Sequence, residues 1–72
     1  MINLGERLRE LRKSKNLKRE ELADIIGSGP RIITFYETND RAPSLKVLIT
    51  LADYFDVSLD YLVGRSDDPA RH

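Results

Sequence analysis

Apolar residues recur at helical spacing along most of this chain. Leu4, Leu8 and Leu11 fall at i, i+4 and i+7, so they share one side of a helix that runs from about residue 3 to residue 15. The same kind of spacing predicts helices at about 19–26 and 30–37, another between residues 44 and 56, and a short one between 58 and 64. The pattern therefore predicts an all-α fold of about five helices, joined by connections of a few residues.

Residues that favour helix ends stand at the predicted boundaries. Asn3, Ser44 and Ser58 each precede a helix, where the side chain can accept a hydrogen bond from a backbone N–H of the first turn. Gly27 and Asn39 follow helices, where a residue that tolerates a left-handed conformation is favoured. These residues support the helix boundaries that the apolar spacing predicts.

The fourth helix should present a wide buried face. Apolar residues recur along it at i, i+3, i+6, i+7 and i+10, namely Leu45, Leu48, Leu51, Ala52 and Phe55. In the short fifth helix, Leu59 and Leu62 should point inward. Residues 66–72 are polar and include Pro69, which predicts a frayed C-terminal tail after a folded domain of residues 1–65.

Residues 17–37 predict a pair of helices separated by a tight turn. Gly27 ends the first helix, Ser28 and Gly29 form the turn, and Pro30 begins the second helix, where its missing N–H costs nothing. The β-branched and aromatic residues at 32–36 would by themselves favour a strand, but the turn residues and the flanking patterns favour a helix. Such a pair is a helix-turn-helix unit, whose second helix commonly enters the DNA major groove.

The composition excludes several kinds of site. The 72 residues suit one small domain, no cysteine is present, and the single histidine is His72. A disulfide framework, a thiolate zinc site and a Ser-His-Asp triad are therefore excluded. We expect no metal, no cofactor, no enzymatic activity and no membrane span, and the lack of cysteine fits a reducing cytoplasm.

The net charge is zero, but the charges are unevenly distributed along the chain. Basic residues are frequent before Phe35, whereas acidic residues predominate after it. This distribution fits a two-faced domain whose basic side meets phosphate, and it equally fits a mixed, solvated surface. Charge therefore leaves both interpretations open.

Several short motifs, taken in order, resemble the xenobiotic-response-element family of helix-turn-helix regulators, the phage repressor and Cro type. The matching segments are LGERLRELRKSKNL, EELA, IIG, I-x-x-YE and APSLKVLITLADYFDVSLDYLVGRSDD, which together span about residues 4–68. The resemblance implies a compact five-helix repressor-like domain that binds double-stranded operator DNA, regulates transcription, and forms a homodimer. The chain is then either a complete small regulator or the N-terminal piece of a longer repressor.

The resemblance also implies roles for individual residues. It implies an ion pair between Arg12 and Glu37 that ties the first helix to the end of the third, the alternative being two independent surface charges. It places DNA contacts at the start of the second helix, along the third helix and in the loop that follows. These candidate DNA-binding residues are Lys18, Arg19, Gly29, Pro30, Arg31, Ile32, Thr34, Phe35, Thr38, Arg41 and Lys46. The guanidinium of Arg31 can donate to guanine O6 and N7, or it can remain solvated or lie against phosphate.

The third helix departs from the family pattern. Pro30, Ile32 and Phe35 put apolar side chains where members of the family commonly carry polar, base-reading residues. One explanation is contact with thymine methyl groups. A second is that this surface no longer reads DNA and docks a protein partner, and a third is a sequence altered at this helix by design or selection. We favour thymine contacts with DNA binding retained.

A homodimer needs an exposed, self-complementary face. The candidates, on or near the fifth helix, are Tyr54, Asp60, Tyr61 and Val63. For Tyr61 and Val63 the alternative is that they complete the monomer core. A dimer would hold the two third helices about one DNA turn apart, ~34 Å, on a roughly palindromic operator.

Overall fold

The computed structural model describes residues 2–71 and contains five α-helices within that range. They are α1 (Leu4–Ser14), α2 (Arg19–Ile26), α3 (Pro30–Glu37), α4 (Leu45–Phe55) and α5 (Leu59–Leu62). The all-α, five-helix prediction is confirmed, and α3 is helical although its β-branched and aromatic residues favour a strand locally. Within residues 2–71, no helix has the length and apolar character needed to cross a membrane.

Side-chain caps close the N-termini of α1, α4 and α5. Asn3, Ser44 and Ser58 each accept a hydrogen bond from the backbone N–H three residues further on, at 2.9, 3.3 and 3.0 Å. Lys18 and Gly29 occupy the corresponding positions before α2 and α3, and neither makes a side-chain capping bond. The two helices of the helix-turn-helix unit therefore begin without the cap that the other three possess.

A residue in the left-handed region ends or follows each of the five helices. Asn16 after α1 and Gly64 after α5 have φ values of 55° and 83°. Gly27 ends α2 with a φ of 72°, Asn39 follows α3 with a φ of 63°, and Asp56 ends α4 with a φ of 54°. The side chain of Asn39 also accepts a hydrogen bond from the Gly5 N–H at 3.1 Å. The end of α3 is thereby joined to the start of α1.

One fully buried aliphatic side chain from each helix forms the centre of the core. These residues are Leu8, Leu22, Ile33, Leu51 and Leu62. Burial of a side chain of this size contributes roughly 1.5–3 kcal/mol to the stability of a fold. Because every helix supplies one of them, the five helices share a single core.

Two leucines that the apolar spacing places inward are exposed. Leu45 is 66% exposed and Leu59 is 40% exposed, although Leu51, Ala52 and Phe55 are buried as predicted. Leu45 and Leu59 are each the first residue of their helix. Apolar spacing identifies one side of a helix, but the neighbouring elements determine how far along that side burial extends.

The polar C-terminal segment lies against the domain, so the prediction of a frayed tail is wrong for residues 66–71. Arg71 donates a hydrogen bond to the carbonyl oxygen of Ala52 at 3.1 Å and pairs with Asp53. Ser58 N–H donates to the Pro69 carbonyl oxygen at 3.1 Å. The hydrogen bond with Asp53 raises the pKa of Arg71 above its ordinary value. His72, which belonged to the predicted tail, lies outside the described residues.

Candidate nucleic-acid interface

The turn between α2 and α3 is held by backbone hydrogen bonds. The Gly27 N–H donates to the Asp24 carbonyl oxygen at 3.2 Å, and the Ser28 N–H donates to the Ala23 carbonyl oxygen at 2.9 Å. Pro30 then occupies the first turn of α3, as the sequence predicts. A glycine in the left-handed region allows the chain to leave α2 sharply, so the start of α3 is presented at the surface.

The exposed side of α3 carries most of the candidate base-reading residues. Between residues 29 and 38, the exposed candidates are Gly29, Pro30, Arg31, Thr34 and Thr38. Ile32 and Phe35 are half-buried, and Ile32 packs against the hydrophobic core. The apolar patch predicted here is therefore smaller than expected, because Ile32 neighbours the buried Ile33 and lies at the edge of the buried side.

The loop after α3 folds back onto the last turn of that helix. The N–H groups of Asp40 and Arg41 both donate to the Phe35 carbonyl oxygen, at 2.9 and 3.3 Å. Thr38 Oγ1 donates to Asp40 Oδ2 at 2.7 Å. The guanidinium carbon of Arg41 lies 5.1 Å from the centre of the Phe35 ring. Three candidates from separate positions, Phe35, Thr38 and Arg41, are thus brought together.

The start of α2 carries two exposed cations. Lys18 and Arg19 are both exposed, and the Lys18 N–H donates to Glu21 Oε1 at 2.9 Å. Arg19 Nε lies 3.4 Å from Glu37 Oε1, while 43% of the Arg19 side chain remains exposed. One edge of the Arg19 guanidinium is therefore oriented by α3, and the rest is accessible to a ligand.

Arg12 and Glu37 form a buried, two-point ion pair rather than two independent surface charges. Arg12 Nε donates to Glu37 Oε2 at 2.6 Å, and Arg12 Nη2 donates to Glu37 Oε1 at 3.2 Å. Arg12 Nη1 donates to the Leu17 carbonyl oxygen at 2.8 Å. The side chains are only 8% and 3% exposed. The pair fixes the C-terminal end of α3 to α1 and to the segment that enters α2.

Arg31 and Lys46 are exposed cations on different helices. Arg31 is the second residue of α3, and Lys46 lies in the first turn of α4. Within residues 2–71, neither side chain forms an ion pair. Arg31 therefore belongs to the surface formed by α3, whereas Lys46 lies on α4.

The candidate dimer residues have unequal exposure. Tyr54 and Asp60 are exposed, whereas Tyr61 and Val63 are half-buried. The Tyr61 ring lies 3.7 Å from the guanidinium carbon of Arg7, which is itself buried. Tyr61 therefore helps to bury an arginine within the monomer, in agreement with the alternative that it completes the core.

Two features of the surface and core escaped the sequence prediction. Arg7 is buried and pairs with Asp67 at 3.2 Å, a contact between residues 60 positions apart. Leu45, Ile49 and Leu59 are exposed apolar residues on α4 and α5. The spacing of residues within one helix does not indicate a partner as distant in the chain as Asp67 is from Arg7. It also does not indicate which apolar residues remain exposed in the folded domain.

Comparison with known proteins identifies similar domains. A family model described as helix-turn-helix matches residues 8–62. The chain is 44% identical over 64 residues to the uncharacterized HTH-type transcriptional regulator YobD of Bacillus subtilis, covering 89% of this chain and 57% of that protein. It is 45% identical over 60 residues to the HTH-type transcriptional regulator AnsR of Bacillus subtilis, covering 83% of this chain and 52% of that protein. The chain thus spans little more than half the length of these relatives.

Among solved structures, the fold is similar to that of the P22 c2 repressor in complex with synthetic operator 9T. The TM-score is 0.84 at 26% sequence identity, over 92% of this chain and 100% of that chain.

Proposed function

We propose that this chain, which belongs to the helix-turn-helix family, binds specific sequences in double-stranded DNA and regulates transcription as a repressor. The family that its short motifs resemble is confirmed by the match over residues 8–62. The observation that carries the proposal is the construction of α2 and α3. In these two helices the residue before the helix supplies no side-chain cap, although Glu21 accepts the N–H of Lys18, and exposed cations stand beside both starts.

The uncapped helix starts suit contact with the phosphate backbone. The first N–H groups of a helix carry partial positive charge and bind anions, and Lys18 and Arg19 add full charges at the start of α2. Contacts of this kind fix the position and orientation of a protein on the duplex. They would therefore set the register in which α3 enters the major groove.

The exposed side of α3 would supply the base contacts. Arg31 can donate both branches of its guanidinium to guanine O6 and N7, and Thr34 offers a hydroxyl and a methyl group. Pro30 is exposed at the first turn and can lie against a thymine methyl group. The favoured operator would thus combine a guanine with neighbouring thymines.

The competing function, a module that docks a protein on the apolar side of α3, has less support. It requires an exposed apolar surface formed by Ile32 and Phe35. Both residues are half-buried, and Ile32 contributes to packing against the core.

We propose further that the chain acts as a homodimer in the cytoplasm and has no enzymatic activity. The exposed residues Tyr54 and Asp60 are available for a symmetric contact. Such a dimer would place two copies of α3 in successive major grooves, ~34 Å apart, on a roughly palindromic operator. Sedimentation at micromolar concentrations, with and without operator, tests it, and a concentration-independent monomer mass in both cases would contradict it.

The experiment that tests DNA binding is selection from a random-sequence duplex pool at several salt concentrations. We expect an enriched, roughly palindromic sequence, and a log affinity that falls with log salt by about 0.9 per phosphate neutralised. Arg31→Ala should weaken binding by about 1–3 kcal/mol and relax the preference at one base pair. Arg65→Ala removes an exposed cation beyond α5 and serves as the matched control. Failure to retain any duplex at low salt would overturn the proposal.

A further inference from the structure

Phe35 and Arg41 form a stacked pair at the edge of the candidate interface. Phe35 lies in the last turn of α3 and is half-buried, and Arg41 is exposed in the loop that follows. The distance of 5.1 Å between the guanidinium carbon and the ring centre is within the range of a cation–π contact. The ring therefore has a neighbour in its own chain.

Arg41 differs from the paired arginines in the nature of its partner. The arginines that contact carboxylates are Arg7, Arg12, Arg19 and Arg71. Arg41 makes no ion pair within residues 2–71, and its guanidinium contacts a ring instead. A ring attracts a cation through its quadrupole without neutralising it, so the stacked guanidinium keeps its full charge for an anionic ligand.

Within residues 2–71, the adjacent carboxylate forms no ion pair with Arg41. Asp40 precedes it directly, but Asp40 Oδ2 accepts a hydrogen bond from Thr38 Oγ1 at 2.7 Å. The Arg41 N–H is held by the Phe35 carbonyl oxygen at 3.3 Å. Phe35 therefore contacts Arg41 twice. Its carbonyl oxygen accepts the Arg41 N–H, and its ring lies against the Arg41 guanidinium.

We propose that Phe35 is a positioning residue, which holds the guanidinium of Arg41 against a phosphate of the DNA backbone and does not itself read a base. This inference rests on the proposed function, because it assigns a role within the same DNA interface. It explains the aromatic residue at position 35 by a contact within the chain. Neither a contact with a thymine methyl group nor a protein partner is then needed to explain this residue. The ligand of the pair is a backbone phosphate, so its contribution should be independent of DNA sequence.

A double-mutant cycle on the selected operator tests the inference. The variants are Phe35→Leu, Phe35→Tyr, Arg41→Ala and the double variant Phe35→Leu/Arg41→Ala. Leucine keeps an apolar side chain able to contact a thymine methyl group but removes the ring, whereas tyrosine keeps the ring. Affinity is measured for each variant across a range of salt, on the operator and on duplexes changed at single base pairs.

We expect Arg41→Ala to weaken binding and to reduce the salt slope by about 1. Phe35→Leu should weaken binding about two- to fivefold, by an equal factor on every duplex, and Phe35→Tyr should restore the wild-type affinity. In the Arg41→Ala background, Phe35→Leu should have no further effect. Arg65→Ala controls for the loss of one exposed cation, and thermal melts of each variant establish that it is folded.

Two results would overturn the inference while leaving the proposed function intact. One is an equal loss from Phe35→Leu with and without Arg41, and the other is a change in the preferred base at one position. The first would mean that Phe35 acts independently of Arg41, and the second that Phe35 contacts a base. A wild-type chain without salt-dependent DNA binding would instead overturn the proposed function, and this inference with it.

Discussion

The helices of this domain fall into two groups that differ in how their first turns are completed. In α1, α4 and α5, a side chain of the same chain accepts a hydrogen bond from an N–H of the first turn. In α2 and α3 the residue before the helix makes no such bond, and at α2 Glu21 instead accepts the N–H of Lys18. Relative to serine or asparagine, a residue such as alanine at the cap costs about 1 kcal/mol and glycine only about a few tenths, so the lack of a cap at both helices needs a reason. Under the proposed function, the reason is that DNA phosphate binds these N–H groups.

The uncapped pair is held together by contacts at the end of α3. Glu37, the last residue of α3, is buried against Arg12 of α1 and also contacts Arg19 at the start of α2. The comparison thus separates a scaffold (α1, α4 and α5) from a reading pair (α2 and α3). The reading pair is anchored where it meets the scaffold and open where a ligand would bind.

The largest expected effect on stability comes from removing the Arg12–Glu37 pair, which anchors the reading pair to the scaffold. Arg12→Ala leaves the buried carboxylate of Glu37 without its main partner, which should destabilise the domain by about 3–5 kcal/mol. Chemical or thermal unfolding measures the change, and Lys13→Ala, an exposed neighbour, should have little effect. Equal melting temperatures for the two variants would refute the anchor.

Gly27 lies in the turn of the reading pair and Gly64 follows α5 of the scaffold, and both have a positive φ. Alanine substitutions at these two positions therefore compare how tightly the two groups are packed. A Cβ at Gly64 would fall on the carbonyl oxygen of Ile2, whereas a Cβ at Gly27 would meet open space. Both alanine variants incur the left-handed penalty, of about 1–2 kcal/mol, but only Gly64→Ala adds a steric clash. Gly64→Ala should therefore be the more destabilising by about 1 kcal/mol or more in urea unfolding. A larger loss from Gly27→Ala would contradict the view that the turn of the reading pair is open.

Removal of a scaffold cap should affect stability without affecting DNA binding. Ser44→Ala deletes the cap of α4 and should cost about 1 kcal/mol. Ser28→Ala, at an exposed serine that caps no helix, is the control for stability. If Ser44→Ala instead lowered DNA affinity at unchanged stability, α4 would belong to the interface.

Addition of a cap to the reading pair should have the smallest effect on stability and the most informative effect on binding. Gly29→Ser introduces no steric clash, because a Cβ at Gly29 meets nothing within 4 Å. The serine hydroxyl can then accept hydrogen bonds from the first N–H groups of α3. Stability should rise by about a few tenths of a kcal/mol, while DNA affinity falls. Gly29→Ala provides the same Cβ without an acceptor. Unchanged affinity in Gly29→Ser would mean that these N–H groups do not bind phosphate.

Local features of the chain were sufficient to predict the helices and most of their ends. Asn3, Ser44 and Ser58 act as caps because the hydrogen bond involved spans only three residues. The left-handed residues Gly27 and Asn39 are likewise determined by local steric preference. The family resemblance then added the pairing of Arg12 with Glu37, which lies outside the range of local reasoning.

Long-range packing explains what the sequence did not predict. Leu45 and Leu59 satisfy the apolar spacing, but the packing of residues 2–71 leaves them exposed. The burial of Arg7 depends on Tyr61 and Asp67, which are far from it in the chain. The role of Phe35 likewise depends on where the following loop returns. Each case is decided by which elements meet, and periodicity within a single helix does not contain that information.

The buried Arg12–Glu37 pair has a consequence for the motions of the domain. Separation of α3 from α1 would leave a carboxylate without its guanidinium partner, so partial opening at this joint gives up much of the stability of the whole fold. The backbone amides of α3 should then exchange with solvent deuterium mainly through global unfolding, as one cooperative unit with α1. The surface offered to DNA would accordingly be a rigid one, already in its binding shape before a ligand arrives.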